Sequence, residues 1–297
     1  MIISSVDVGS NAIRQVIIEI LNPELSFERW KILKKYRLPL RLGSDVFESK
    51  KLKPETISKM IACFTTIAQL NTQYKVTKKF ITATSALRDC QNQKNVIAKI
   101  KKETGLKISV ISGHQEAQFI RNAILKTNLT QFRNVLMIDI GGGSLELSAL
   151  KSNALICSES YPLGVVRLLK GKVQTSYQLQ KVVKENMSEF KKKTQKINFD
   201  FALGTGGNFD ALSKLKLQLL HSSPDTNLSI LDIKKIFIIW KTLTLSQKMS
   251  LDVRKDRIDV LDIALPLIIQ TMGFFNLKHI KIPHTGLKEG VILSRIR

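Results

Sequence analysis

An apolar run, an aspartate, a turn of small residues and a second apolar run occur twice in this chain, and no other feature constrains the fold as much. The first copy is IISSVDVGSNAIRQVIIEI, with Asp7 and Gly9; the second is VLMIDIGGGSLELSAL, with Asp139 and Gly141. Apolar runs on both sides of a tight Gly/Ser turn read as paired strands. A third glycine turn, in FALGTGGNFDAL, follows an apolar strand but leads into a helix. The pattern implies two similar α/β lobes whose glycine turns face each other across a cleft. The predicted domains are residues 1–125 and 126–285, with a C-terminal helix at about 286–297 returning to the first.

A length of 297 residues with 43% apolar content supplies material for two cores. Beyond the duplicated hairpins, a third strand region is expected over Glu28 to Leu42. A helix is expected from Pro54, where proline suits a first turn. Further helices are expected over Asn95–Glu103, Glu116–Lys126 and Tyr177–Lys193, with a strand over 107–111. The apolar stretch Ile258–Phe275 carries Asp259, Asp262, Pro266 and Gly273, so it reads as a buried helix and not a membrane span. The first residues run straight into a strand, so no secretory leader is expected. Cys63, Cys90 and Cys157 follow no metal or redox spacing and fit core thiols in a reducing, cytoplasmic setting. The formal charge of +23 fits either a lysine-rich solvated surface or a polyanionic partner. Its basic residues are spread along the chain, which does not favour a specific nucleic-acid arm.

Three glycine turns after apolar strands suit phosphate, because amides without a Cβ in the way can converge on one anion. The turns contribute Ser10 and Asn11; Gly141, Gly142, Gly143 and Ser144; and Gly204, Gly206 and Gly207. None is a Walker A loop. Asp7, Asp139 and Glu146 lie on or beside these turns. Each could cap a turn; together they suit a divalent cation such as Mg²⁺ or Mn²⁺. Glu116, in ISGHQEAQFIRNAI, reads from its residues first as a helix-start carboxylate. Arg88, Arg14 and Lys288 read either as surface cations or as phosphate clamps.

Taken in order, these blocks resemble the exopolyphosphatase and guanosine pentaphosphate phosphohydrolase (Ppx/GppA) family, within the actin and sugar-kinase fold group. VDVGSNAIRQVI is similar to its opening phosphate loop and TATSALRDCQN to its arginine block. VISGHQEA is similar to its Ile-Ser-Gly-x-Glu-Glu-Ala block and MIDIGGGSLEL to its second phosphate loop. YPLGVVRL, LGTGGNFDAL and TGLKEGVIL resemble its later blocks. The resemblance implies two actin-like (ribonuclease H-like) domains and Mg²⁺-dependent removal of a terminal phosphate from polyphosphate. Glu116 would be the general base and Arg88 the phosphate clamp. Asp139 and Glu146, with Asp7, would support the metal, and Ser10, Asn11, Arg14 and the glycine turns would bind phosphate.

The departures are Gln115 where the family has a first Glu, Leu145 and Asn208 where it has Thr, and Lys288 where it has Arg. With Gln115, Glu116 loses a like-charged neighbour, so a lower pH optimum than in relatives is expected. Longer relatives carry an extra helical C-terminal region associated with dimerisation, and a short form is expected here, with a homodimer as the candidate assembly. Guanosine pentaphosphate is the alternative substrate. A non-hydrolysing nucleotide or alarmone sensor and an ATP-dependent kinase are alternatives from other classes.

Overall fold

The computed structural model describes residues 1–21, 30–127, 134–171, 175–222 and 227–296. The chain divides into two units, Met1–Thr127 with Thr285–Arg297, and Asn128–His284.

Unit 1 is built on a sheet of β1 (Ile2–Val8), β2 (Ile13–Ile20), β3 (Trp30–Leu38), β4 (Lys78–Ala83) and β5 (Ser109–Val110), in the order β3-β2-β1-β4-β5. β1, β2 and β3 form an antiparallel meander, and β4 joins β1 in parallel. Glu28 and Arg29, placed in the third strand by the sequence reading, lie outside the described residues. Between the strands run α1 (Leu42–Ser49), α2 (Pro54–Gln73), α3 (Ser85–Arg88), α4 (Gln93–Thr104) and α5 (Gly113–Ile124). Pro54 opens α2 as expected. α1 and α3 were not expected; each is too short to show a helical apolar period.

One face of this sheet buries Val6, Val8 and Ile13 with Phe64, Ile67 and Leu87, a cluster that includes Cys63 and Cys90. Burial pushes the Cys63 thiol up to about 11, as befits an inert core residue. The other face buries Ile3, Val16, Ile18 and Ile20 with Ile292 of the last helix. That helix is the final α-element of the chain, and it also lies along α5. Gly290 brings the two helices into backbone contact: a side chain there would overlap the carbonyl of Phe119.

Unit 2 repeats the plan. β6 (Asn134–Ile140), β7 (Leu145–Lys151) and β8 (Ala154–Tyr161) form an antiparallel meander, and β9 (Phe201–Thr205) pairs with β6 in parallel. β10 (Asn227–Ser229) and β11 (His279–Lys281) extend the sheet to the order β10-β11-β9-β6-β7-β8. The helices are α6 (Val165–Lys170), α7 (Ser176–Lys193), α8 (Gly207–Leu220), α9 (Ile230–Thr242), α10 (Leu245–Ser250) and α11 (Ile258–Phe274). α12 (Leu287–Arg295) then belongs to unit 1.

α11 is the expected buried helix. It continues through Pro266, which costs one backbone hydrogen bond and does not end it. α11 packs against α6, α7 and α9, and Trp240 of α9 donates to Asp262 of α11 at 2.7 Å. Among the described residues, no helix is long and apolar enough to cross a membrane.

Candidate active site

Unit 1 gathers Glu116, Arg88, Ser10, Asn11, Asp7 and Arg14. Glu116 enters the first turn of α5 through a capping box: Ser112 Oγ accepts from the Gln115 amide, and the Gln115 side chain accepts from the Ser112 amide. Gln115 is exposed and bent back onto this cap, a task its amide oxygen performs as well as a carboxylate would. Glu116 itself is 7% exposed. Arg88, at the end of α3, donates to the Ile111 carbonyl at 2.9 Å, and the same Nη1 stands 3.5 Å from Glu116 Oε2. A buried carboxylate needs such a partner, and at this separation the guanidinium offsets its charge without a tight hydrogen bond. His114 is exposed and pairs with Gln118, outside this arrangement.

The first glycine turn is held from behind. The amide of Gly43, in α1, donates to the Ser10 carbonyl at 2.9 Å, and Arg41 Nε donates to Asn11 Oδ1 at 2.8 Å. Ser10 Oγ lies 2.9 Å from Ser85 Oγ at the start of α3. Arg14 faces Asp7 across the hairpin at 2.8 Å. Asp7 therefore meets a protein cation, so a metal there would compete with a formed ion pair. Lys288, in α12, lies 4.0 Å from Glu289, and its carbonyl accepts from Ser5.

Unit 2 gathers Asp139, Glu146 and the other two turns. Asp139 and Glu146 are direct partners in the β6–β7 register. Glu146 is 3% exposed, and its Oε1 accepts from Ser160 Oγ of β8 at 2.8 Å. Two carboxylates directly opposite one another on a sheet repel, an arrangement that favours a cation beside them.

The second turn is the most fully tied back of the three. The Gly141 carbonyl accepts from Val165 N at 3.1 Å. The Gly142 carbonyl accepts from Val166 and Arg167 N at 2.8 and 3.1 Å. The Gly143 carbonyl accepts from Arg167 Nε at 2.7 Å. In a trans peptide the N–H points opposite to the C=O. With all three carbonyls tied to the start of α6 and Arg167, the amides of Gly142, Gly143 and Ser144 are turned the other way, as a nest. Gly164 makes this possible, because a side chain there would overlap the Gly143 and Ser144 backbone. Gly164 and Arg167 were missed by the sequence reading, although both stand in the YPLGVVRL block.

The third turn is different. Gly206 has φ +91°, and a Cβ there would sit 2.7 Å from Asp139 Oδ1, so glycine is required twice over. Gly204 lies against the Phe209 ring and Gly207 against the Arg257 guanidinium. Their missing side chains are therefore used for packing within the protein. Asn208 donates to the Ile140 carbonyl and accepts from Arg257 Nη1, both at 2.8 Å, and is 2% exposed. The departure to Asn thus ties the third turn to the end of β6 and to a buried arginine that the sequence reading did not single out. Leu145, 0% exposed, opens β7 as a core residue.

Two α/β units on one strand plan, each with a glycine turn braced by the helix that follows its third strand, define a duplicated actin-like protein. The chain belongs to the Ppx/GppA phosphatase family, whose model matches residues 24–297. A bifunctional 3-dehydroquinate synthase/phosphatase of Fusobacterium nucleatum is 27% identical over 99% of this chain and 46% of its own length. A guanosine-5'-triphosphate,3'-diphosphate pyrophosphatase of Aliivibrio fischeri is 21% identical over 99% of this chain and 59% of its own length. The chain thus spans about half the length of these curated relatives. The crystal structure of an exopolyphosphatase from Cytophaga hutchinsonii superposes with a TM-score of 0.90 at 21% identity, covering 99% of this chain and 97% of that one.

Proposed function

We propose that this chain is a phosphohydrolase that removes the terminal phosphate of inorganic polyphosphate, with Glu116 as general base. The observation that carries the reading is the buried Glu116 held 3.5 Å from Arg88, in a family of phosphatases. The reading requires both units to present their groups to one terminal phosphate. The amides of Gly142, Gly143 and Ser144, with Arg88, hold its oxygens. Glu116 orients a water and takes its proton as the water oxygen bonds to phosphorus. The bond from phosphorus to the bridging oxygen breaks, and orthophosphate leaves beside a chain one unit shorter. The transition state of such transfers is loose, so positioning and charge carry most of the acceleration.

What supports a divalent cation at Asp139 and Glu146 is the facing of two acids across one register and the seat that Gly206 leaves for the Asp139 carboxylate. Mg²⁺ suits one or two carboxylates with phosphate oxygens and water, and when bound it neutralises charge on the phosphate. Asp7 serves this reading as the partner that orients Arg14 toward phosphate. The net charge of +23 would speed capture of a polyanion and make KM depend on salt.

The name of the Aliivibrio fischeri relative supports guanosine pentaphosphate as the second substrate. The test is orthophosphate release from long-chain polyphosphate and from guanosine pentaphosphate, with Mg²⁺ and with EDTA. The expected result is Mg²⁺-dependent release, faster from polyphosphate, with Glu116→Gln lowering kcat by about 10²–10⁴-fold and leaving binding intact. Near wild-type kcat in Glu116→Gln would overturn the base. Tight binding without release from either substrate would make the chain a sensor.

A further inference from the structure

Two buried threonine hydroxyls of unit 2, Thr205 and Thr271, lack a partner among the described residues, and the one on a sheet strand stands beside the acids. Thr205, the last residue of β9, is 2% exposed, and its Oγ1 has no hydrogen-bond partner among the described residues. Burying a hydroxyl without a partner costs free energy, so such a group points to something that is not protein. Its position says what. The register pairs Thr205 with Asp139, Asp139 with Glu146, and Glu146 with Ser160. Paired residues on neighbouring strands project from the same face of a sheet. Thr205, Asp139, Glu146 and Ser160 therefore form one polar row across β9, β6, β7 and β8, with the two acids in the middle and a hydroxyl at each end. Ser160 is committed to Glu146 at 2.8 Å; the Thr205 hydroxyl has no such partner among the described residues.

Unit 1 carries the same row, Thr82, Asp7, Arg14 and Arg37, across β4, β1, β2 and β3. There the position matching Glu146 is Arg14, a cation supplied by the protein. Unit 2 has a second acid at that position and a partnerless hydroxyl beside the first.

We propose that Thr205 is a further positioning residue for a divalent cation at Asp139 and Glu146, its hydroxyl hydrogen-bonding within the ion's hydration shell. The inference rests on the metal reading given above, and it concerns a side chain other than the acids. A hard cation that keeps several waters needs such outer partners, and their loss commonly weakens metal binding by about 10–100-fold.

The experiment measures Mn²⁺ affinity of the full chain by the loss of the free-ion electron paramagnetic resonance signal. It adds melting temperatures in EDTA and in excess Mg²⁺. Thr205→Val is expected to bind Mn²⁺ about 10-fold more weakly and Thr205→Ser to restore the affinity. In EDTA, Thr205→Val is expected to melt at or above the wild-type temperature, because it removes a buried hydroxyl that had no partner. Its rise in melting temperature with Mg²⁺ should be smaller. A purely packing role would lower the EDTA value and leave Mn²⁺ affinity unchanged. Unchanged affinity in Thr205→Val, beside lost binding in Asp139→Asn, overturns the role of Thr205 and leaves the metal site standing. Weakened affinity that Thr205→Ser does not restore also overturns it. A wild-type chain that binds no Mn²⁺ overturns both readings. Should Thr205→Val fail to fold, Thr205→Ala is read by the same criteria.

Discussion

The two sheets share a strand plan and a register but not a charge. In each, an aspartate stands next to last in the first strand, a partner faces it across the hairpin, and a threonine faces it from the parallel strand. In unit 1 the hairpin partner is Arg14, so the centre of the row is a neutral ion pair and Arg37 makes the row net cationic; in unit 2 the partner is Glu146, so the row is anionic. The turns differ in the same spirit. Both are tethered through their carbonyls by the helix that follows the third strand, α1 in one and α6 in the other. Only in unit 2 are three successive carbonyls tied back. A duplicated scaffold thus fixes where side chains stand, while the residue opposite the aspartate sets the charge of each row.

Substitutions can break this contrast. The largest effect is expected from Glu146→Gln, which should weaken divalent-ion affinity by about 10–100-fold, while Asp7→Asn leaves it unchanged. Equal losses in a Mn²⁺ titration would mean that the two rows do not differ as described. Next is the bracing of the turns. Gly164→Ala forces a side chain into the Gly143 backbone and should cost about 3 kcal/mol in urea unfolding. Gly9→Ala, whose Cβ would meet the Ala12 carbonyl at 3.2 Å, should cost under about 1 kcal/mol. Asn208→Ala strips the buried Arg257 of an acceptor and should cost about 1–3 kcal/mol, more than Asn11→Ala at the less buried arginine–asparagine contact of unit 1.

The smallest effect is pH-dependent and belongs to unit 2 alone. His284 lies 3.1 Å from Asp210, whose hydrogen bond raises the imidazole above its ordinary value. A raised histidine stabilises the fold while it is protonated. The contribution is therefore complete below the ordinary value of about 6.5 and fades as pH rises through the raised one. His284→Gln should lower stability by no more than about 1 kcal/mol at low pH and by nothing at alkaline pH, because the pair is half exposed. A wild-type advantage that grows with pH would refute the assignment.

Much of this was legible in the residues because it is local chemistry. Pro54 marks a helix start, glycine turns between apolar runs mark hairpins, and the ordered blocks carry the family. Asp7 and Asp139 looked equivalent, both candidates for metal, because nothing local separates them. The signal lay in spacing: Arg14 follows Asp7 at the same interval as Glu146 follows Asp139, so hairpins of equal length bring each opposite its aspartate. Ser160 and Arg257 were invisible for a different reason. Each is an ordinary residue whose role comes from a strand register or from a helix that returns from far along the chain. The brief α1, α3 and α6 offer no period to read, although two of them brace the turns and the third carries Arg88.

α12 follows unit 2 in the chain yet covers Ile3, Val16, Ile18 and Ile20 of unit 1. On a ribosome, unit 2 is contiguous and can close as soon as it emerges, whereas unit 1 must wait with an apolar sheet face uncovered until the last helix is released. The helix bearing Glu116 likewise lacks its backbone-contact partner until Gly290 arrives. Vectorial synthesis would in this way make the folding of unit 1 depend on a helix that is translated after the whole of unit 2.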